Sequence, residues 1–118
     1  MAVRSYTELI AWQKAMDLVE IVYRLSDRFP KDERFGLTAQ LRRSAVSIPP
    51  NVAEGQGRWG TGEFVQFLGI AHGSLCELET QVHIAVRLGV VAVEDAGPAF
   101  RLATEVGKLI HGLRKSLC

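Results

Sequence analysis

Apolar residues near the start of the chain fall into two stripes with helical spacing. One consists of Leu9, Trp12, Met16, Val19 and Tyr23, and the other of Ala11, Ala15, Leu18, Val22, Leu25 and Phe29. Steps of three and four residues keep side chains on one face of an α-helix. The spacing predicts a first helix from about Thr7, as its N-cap, to about Asp27. We assign the stripe that starts at Leu9, the Leu9 stripe, to the seam of a helix bundle.

The two stripes lie about 120° apart on a helix with 100° per residue. Charged residues fill the remaining arc: Asp17, Glu20, Arg24 and Arg28. An apolar arc this wide exceeds what a helix packed on one side needs. It favours a helix buried between bundle neighbours, or one that also faces another subunit.

The same reasoning predicts a second helix. Pro30 ends the first helix, because the residue before a proline is pushed out of the α region. The second helix is predicted to begin between Asp32 and Phe35, with an apolar stripe of Leu37, Leu41, Ala45, Ile48 and Val52. Pro49 and Pro50 remove two backbone donors, which predicts an interruption and a kink before the helix resumes over residues 51–54. A flexible turn is predicted at the glycines that follow, Gly55, Gly57, Gly60 and Gly62.

Two further helices complete the pattern. The third is predicted from about Gly62 to Leu88, with a heptad stripe of Phe64, Leu68, Ala71, Leu75, Leu78, Val82 and Ala85. A second stripe on it is apolar at its ends and polar in its middle: Phe67, Ile70, Ser74, Glu77, Gln81, Ile84 and Leu88. Gly69 and Gly73 lower helix propensity, so we expect them to allow another backbone to approach closely. The fourth helix is predicted to open near Glu94, with a stripe of Ala99, Leu102, Val106, Leu109, Leu113 and Leu117.

Together these patterns predict an all-α protein with one domain over residues 1–118, folded as an up-down-up-down four-helix bundle. No apolar run is long enough to cross a membrane, and the N-terminal segment does not have the pattern of a signal peptide. The two cysteines, Cys76 and Cys118, are too few for a disulfide scaffold and suit a reducing compartment. We therefore expect a cytoplasmic protein.

The formal net charge of +1 neither favours nor opposes a polyanionic partner, but basic residues concentrate in segments 34–58 and 101–118. These segments would form a basic patch if they lie side by side. The candidate nucleic-acid contacts are Arg42, Arg43, Arg58, Lys108, Arg114 and Lys115, with Trp59 as a stacking group. The alternative is that basic residues near a helix C-terminus only complement the helix dipole.

Polar residues in the second stripe of the third helix call for partners. A carboxylate such as Glu77 should not be buried alone, and Arg42 is its predicted partner because it flanks the apolar stripe of the second helix. We interpret such a pair as structural or as specifying an oligomer. Since no Ser-His-Asp, Cys-His or paired-carboxylate arrangement stands out, we predict neither catalysis nor a cofactor.

Metal binding is a further alternative. His72, Cys76, Glu79 and His83 share one face of the third helix and belong to residue types that ligate zinc. One straight helix face rarely closes a tetrahedral site, and this face lies away from the heptad stripe. We therefore interpret it as a solvent-facing polar strip and predict no metal.

Four stretches carry a family resemblance from about Tyr6 to Leu117: ELIAWQKAMDL, FPKDERFGLTAQLRRSAVSIPPNVAEGQGR, EFVQFLGIAHGSLCELETQ and LIHGLRKSL. They resemble the 23S rRNA-intervening sequence protein family and, more distantly, the accessory bundle protein of diversity-generating retroelements. The resemblance implies a four-helix bundle that assembles into a homo-oligomeric ring, typically a pentamer. It implies no catalytic residues, since none are established for the family. The retroelement relative is a basic ring that binds a reverse transcriptase and nucleic acid, whereas this chain is close to neutral.

Several polar positions match the family's pattern: Arg42, Arg43, Asn51, Glu54, Gly55, Arg58, Glu77 and Glu79. Among them we expect Arg42, Asn51, Glu54, Glu77 and Glu79 to form a structural or assembly cluster. The leading hypothesis is a non-enzymatic ring that serves as a scaffold for RNA or for an RNA-handling protein. The alternative is a protein–protein adaptor without a nucleic-acid role, and a metal-binding protein is less favoured.

Overall fold

The computed structural model describes residues 5–118, and this part of the chain contains four α-helices and no strand. The helices are α1 (Ile10–Ser26), α2 (Leu37–Gly57), α3 (Thr61–Arg87) and α4 (Val93–Leu117). Short 3-10 turns at Tyr6–Glu8 and Lys31–Glu33 precede α1 and α2. The all-α prediction is confirmed. Residues 1–4 lie outside the described residues. They belong to the predicted domain and to the N-terminal segment that was compared with a signal peptide.

No helix between residues 5 and 118 combines the length and the apolar character needed to cross a lipid bilayer. The molecule measures 45 × 24 × 19 Å. A helix of the length of α3 extends about 40 Å at 1.5 Å per residue. The long helices therefore run along most of the molecule, and its two ends are built from helix termini and turns.

Two predicted helix starts are wrong, because 3-10 turns come before both helices. Thr7 lies inside the first turn and is not an N-cap. Ser5 caps this turn, since its Oγ accepts a hydrogen bond from the Thr7 backbone N–H at 3.2 Å, and the N-cap of α1 is Leu9. The second helix begins at Leu37, after the Lys31–Glu33 turn, and not between Asp32 and Phe35.

The helix α2 runs without a break through both of its prolines. Pro49 and Pro50 cannot donate to the carbonyls four residues earlier, those of Ala45 and Val46. The helical conformation nevertheless continues to Gly57, so the predicted interruption is absent. A kink at this point stays a prediction.

Each helix packs against two others: α1 contacts α2 and α4, and α3 contacts α2 and α4. Within residues 5–118, α2 and α4 make no direct contact. Ion pairs join Lys14 to Glu105 at 3.7 Å and Arg28 to Asp95 at 3.0 Å along the α1–α4 pair. At the turn between α1 and α2, Arg42 reaches back to Asp27.

The inner face of α1 is formed by the second stripe and not by the Leu9 stripe, of which only Leu9 itself is buried. Its core residues are Ala11, Ala15, Leu18, Val22 and Leu25, which form the second stripe. In the Leu9 stripe, Met16 and Tyr23 are each 41% exposed, and Trp12 and Val19 are half-buried. Spacing alone could not separate the two stripes. Two positions of the second stripe, Ala11 and Ala15, are small enough to allow close helix approach, whereas the Leu9 stripe has large side chains throughout.

The other predicted stripes hold to different degrees. The α2 stripe is buried throughout, and so is the α3 heptad stripe apart from the half-buried Phe64. On α4 the stripe is shifted around the helix, so that Leu102, Leu109 and Leu113 are only half-buried. The buried residues of that helix are Ala96, Ala99, Ala103, Val106 and Ile110.

The sequence analysis placed Gly55 in a flexible turn, and this prediction is wrong. Gly55 lies inside α2, where the helix packs against α3. A Cβ atom placed on Gly55 would lie 2.8 Å from the Cβ of Phe67 and 3.0 Å from Cδ1 of Phe64. Such distances leave no room for a methyl group. The turn between α2 and α3 is therefore limited to residues 58–60.

Candidate nucleic-acid interface

Trp59 stands at the centre of the short turn between α2 and α3. Its side chain is fully exposed, at 102% of the reference value. Large aromatic residues are usually at least partly covered in folded proteins. A free indole face on a tight turn provides a surface on which an unpaired base can stack.

Arg58 fixes the conformation of this turn. Its guanidinium donates to Oε2 of Glu54 at 3.0 Å, and a second nitrogen lies 3.6 Å from Oε2 of Glu63. The same group lies 5.3 Å from the centre of the Phe67 ring. Arg58 thus clamps the end of α2 to the start of α3. Two carboxylates already compensate its charge, so it is chiefly a positioning residue for Trp59.

The last basic residues of α4, Arg114 and Lys115, approach the same end of the molecule, whereas Lys108 follows Gly107, which packs near Leu75 in the middle of α3. Lys108, Arg114 and Lys115 are all exposed. Arg114 lines a groove together with Gln66 of α3. Arg58 contacts Glu63, which lies about one turn before Gln66 on the same helix. Arg58, Trp59 and Arg114 therefore surround the first two turns of α3.

Arg42 lies elsewhere and is committed to other contacts. Its Nη2 donates to Asp27 Oδ1 at 2.8 Å, its Nε donates to Ser26 Oγ at 2.7 Å, and its guanidinium lies 4.5 Å from the Tyr23 ring centre. The predicted Arg42–Glu77 pair is therefore wrong. The two basic segments therefore meet only in part: Arg42 lies at the turn between α1 and α2, whereas Arg58 lies with Arg114 near the start of α3. Arg43, the next residue, is exposed.

Glu77 is exposed and accepts a hydrogen bond from the Ser44 hydroxyl at 2.7 Å. The Ser44 oxygen also lies 2.9 Å from Oε1 of the buried Gln81. A hydroxyl has one proton, so these acceptors share it in alternation. The partner of Glu77 is a small polar residue of α2 that the sequence reasoning did not consider.

The other members of the predicted polar cluster have separate roles. Asn51 donates to the Ser47 carbonyl at 2.7 Å, and Glu54 pairs with Arg58. Glu79 is half-buried on α3. The five residues are thus distributed over several local contacts, and their grouping into an assembly cluster stays a prediction.

The suggested metal face has no converging ligand set. His72 Nδ1 lies 3.8 Å from Cys76 Sγ, while the His83 ring packs on Phe100 with 4.5 Å between ring centres. From Ser5 to the C-terminus, no three His, Cys, Asp or Glu side chains are placed to hold a metal ion together. The geometry therefore gives the metal-binding alternative no support.

Comparison with known proteins decides the family. A family model described as 23S rRNA-intervening sequence protein matches residues 7–112. The chain belongs to the 23S rRNA-intervening sequence protein family. A crystal structure of a protein with unknown function from the S23 ribosomal protein family of Bacteroides thetaiotaomicron VPI-5482 is similar, with a TM-score of 0.83. The match covers 90% of this chain and 99% of that chain at 21% identity, which supports the fold alone. No protein with a curated description matches this member of the 23S rRNA-intervening sequence protein family significantly.

The contacts of Arg42 predict that this residue stabilises the folded protein. Arg42→Ala is expected to lower the free energy of unfolding by about 1–2 kcal/mol, because it removes a bond to the buried Ser26 and the contact with the Tyr23 ring. The partly exposed pair with Asp27 adds little. Urea unfolding at a fixed protein concentration measures the change. Arg43→Ala is the matched control, with an expected change within about 0.5 kcal/mol. Equal losses in both variants would contradict this role.

Proposed function

We propose that this protein is a non-enzymatic, cytoplasmic scaffold that assembles into a homo-oligomeric ring, a pentamer, and binds RNA at one end of its bundle. The single observation that carries the RNA part is the fully exposed Trp59 on a clamped turn. Family membership and the exposed basic residues of α4 support the same reading.

The helix contacts support an up-down-up-down topology. Lys14 of α1 pairs with Glu105 of α4, and Arg28, just after α1, pairs with Asp95 near the start of α4. This order of pairs is that of two antiparallel helices. Turns as short as residues 58–60 connect neighbouring helices that run in opposite directions. This topology brings the end of α2, the start of α3 and the end of α4 together around Trp59.

Assembly is supported first by an apolar surface between α1 and α2, here called the α1–α2 surface. It forms a shallow hollow lined by Tyr6, Trp12, Met16, Val19, Val46, Pro49, Pro50 and Ala53. Val46 is 43% exposed, and Met16 is exposed to a similar extent. A contiguous apolar surface of this kind marks an interaction site on a folded domain.

Exposed apolar residues also lie at the two ends of one α3 stripe, with polar residues between them: Ile70 at one end, and Ile84 and Leu88 at the other. This set is here called the α3 surface. The α1–α2 surface and α3 are on opposite sides of α2. Ser44 of α2 contacts Glu77 of α3, whereas Val46, which lines the α1–α2 surface, is about 200° further around α2. Two different apolar surfaces on one protomer fit a head-to-tail contact, which closes into a ring when the rotation permits. A two-fold dimer would need only one self-complementary surface.

A ring would repeat each RNA contact around its axis. One Trp59, with Arg114 and Lys115 at the same end of the bundle and Lys108 further along α4, offers a small contact on a nearly neutral chain. Repetition raises the overall affinity without new contacts when one RNA reaches several copies. Proteins that recognise RNA by stacking bind unpaired bases in loops and bulges, so structured RNA with exposed loops is the proposed ligand.

Trp59→Ala is expected to weaken RNA binding by about 1–3 kcal/mol per engaged copy, the usual value of base–aromatic stacking. Fluorescence anisotropy with a labelled ribosomal RNA hairpin measures the affinity at low salt, and a salt titration reports the number of phosphate contacts. Trp59→Phe keeps an aromatic face and should retain most of the affinity. Circular dichroism and light scattering check that fold and assembly are unchanged.

Unaltered affinity in Trp59→Ala would contradict the stacking role. Undetectable binding of the natural sequence at low salt would remove the RNA proposal and favour the adaptor alternative. That alternative has its own support in Phe35, which is 88% exposed at the opposite end of the bundle, beside the turn that joins α1 to α2.

A further inference from the structure

A groove with a cavity volume of about 310 Å³ runs between α3 and α4. Its apolar floor comes from Val65, Leu68 and Ile110. Its polar side chains come from both helices: Gln66, His72, His111 and Arg114. Sequence reasoning considered His72 for another purpose and did not consider His111, because the two histidines lie far apart in the chain.

Each polar side chain of the lining can donate a hydrogen bond. Gln66, the imidazoles of His72 and His111, and the guanidinium of Arg114 all provide N–H donors. Among residues 5–118, no carboxylate lines the groove. An arginine with a fork of donors, flanked by two imidazole rings, suits an oxyanion with several acceptor oxygens.

Gly69 leaves the groove open. Apart from its two chain neighbours and the adjoining helix backbone, no atom within residues 5–118 lies within 4 Å of a Cβ built at this position, so intrachain packing does not require a glycine. A glycine inside a helix costs about 1 kcal/mol relative to alanine. A side chain here would extend into the groove, whereas its absence gives a ligand access to the backbone of α3.

We propose that this groove binds a phosphoryl group, with Arg114 as the main charged contact and His72, His111 and Gln66 as further donors. The phosphoryl group belongs either to the backbone of the RNA or to a free phosphate ion. In the first case the proposal rests on the proposed function and extends it. Gln66 lies five residues after the start of α3, about 8 Å along the helix axis, so a strand stacked on Trp59 can reach the groove.

The three histidines of the chain make the site testable in one spectrum. His72 and His111 line the groove, whereas His83 packs on Phe100 outside it. In two-dimensional proton–carbon NMR, inorganic phosphate is expected to shift the signals of His72 and His111 saturably, since both line the groove. The His83 signal should stay in place. Sodium chloride at equal ionic strength is the blank.

Two variants separate the site from a general salt effect. Arg114→Gln should weaken phosphate binding about tenfold or more, since it removes a charge-assisted hydrogen bond. Gly69→Leu should abolish binding by filling the groove. Gly73→Leu is the matched control one turn along α3, because Gly73 has equally open surroundings and does not line the groove. It should bind phosphate as the natural sequence does.

The RNA hairpin is then titrated into the same samples. If it shifts His72 and His111, the site takes a backbone phosphate; if only inorganic phosphate does so, the site takes a free ion. Equal shifts of all three histidines, no saturable shift, or unchanged phosphate binding in Gly69→Leu would overturn the proposal. RNA binding that depends on Trp59 but persists in Gly69→Leu and Arg114→Gln would leave the proposed function intact while removing the groove from it.

Discussion

Val46→Glu is expected to convert the assembled protein into monomers. Val46 is exposed in the middle of the α1–α2 surface, beside Met16 and Pro50. In the proposed ring this surface is covered, so the substitution would bury a carboxylate without a partner, at a cost of several kcal/mol per interface. Light scattering after size-exclusion chromatography measures the change, because one chain has a mass of 13.0 kDa and a pentamer five times as much.

Val93→Glu provides the matched control. Val93 is 59% exposed at the start of α4, outside both proposed surfaces, and undergoes the same chemical change. It should leave the assembly intact. A natural sequence that is monomeric at micromolar concentration would remove the ring proposal, and so would a Val46→Glu variant that remains fully assembled.

Mixing two variants separates a head-to-tail ring from a two-fold dimer. Ile70→Glu should also disassemble the protein, since Ile70 lies on the α3 surface. Each variant keeps one intact surface, so a mixture of Val46→Glu and Ile70→Glu should form a heterodimer that cannot extend. Native mass spectrometry would detect it at twice the mass of one chain. If the variants do not associate, the two surfaces do not bind each other.

Gly55→Ala is expected to destabilise the protein by about 2 kcal/mol, even though alanine is the better helix former. The added methyl group would lie 2.8 Å from the Cβ of Phe67, which is fixed to the α3 backbone and cannot move aside. Overpacking of this kind costs about 1–3 kcal/mol, and the gain in helix propensity of at most about 1 kcal/mol offsets only part of it. Urea unfolding followed by circular dichroism measures the change.

Gly73→Ala is the control with the opposite expected sign. Gly73 lies inside α3 with no atom of the described residues within 4 Å of an added Cβ. Its replacement should raise stability by up to about 1 kcal/mol. Measuring both glycine variants in the Val46→Glu background removes the contribution of assembly. A more stable Gly55→Ala protein would show that α2 and α3 can move apart at no cost.

The sequence predicted the number and approximate extent of the helices, because three- and four-residue spacing is a property of one helix alone. It could not decide which stripe of α1 faces inward. Both stripes have the same period, and the choice depends on how closely Ala11 and Ala15 allow neighbouring helices to approach. The starts of α1 and α2 were missed for a local reason, since a 3-10 turn has the same turn-forming residues as a helix cap.

Residue partners were harder to predict than elements. Arg42 was assigned to Glu77 by charge alone, whereas the turn after α1 places Ser26 and Asp27 closer. The α3–α4 groove combines side chains from two helices, and no spacing along the chain connects His72 with His111. The candidate role of Trp59 was accessible because glycines on both sides indicated a turn.

The two tryptophans of this chain occupy contrasting environments. Trp12 is half-buried in the hollow between α1 and α2, whereas Trp59 is surrounded by solvent. Their emission spectra therefore differ in the unlabelled protein. Docking of another copy would dry the indole of Trp12 and shift its fluorescence to shorter wavelength, while a nucleobase on Trp59 would quench the longer-wavelength component. The natural chain thus carries separate optical reporters for self-association and for ligand capture.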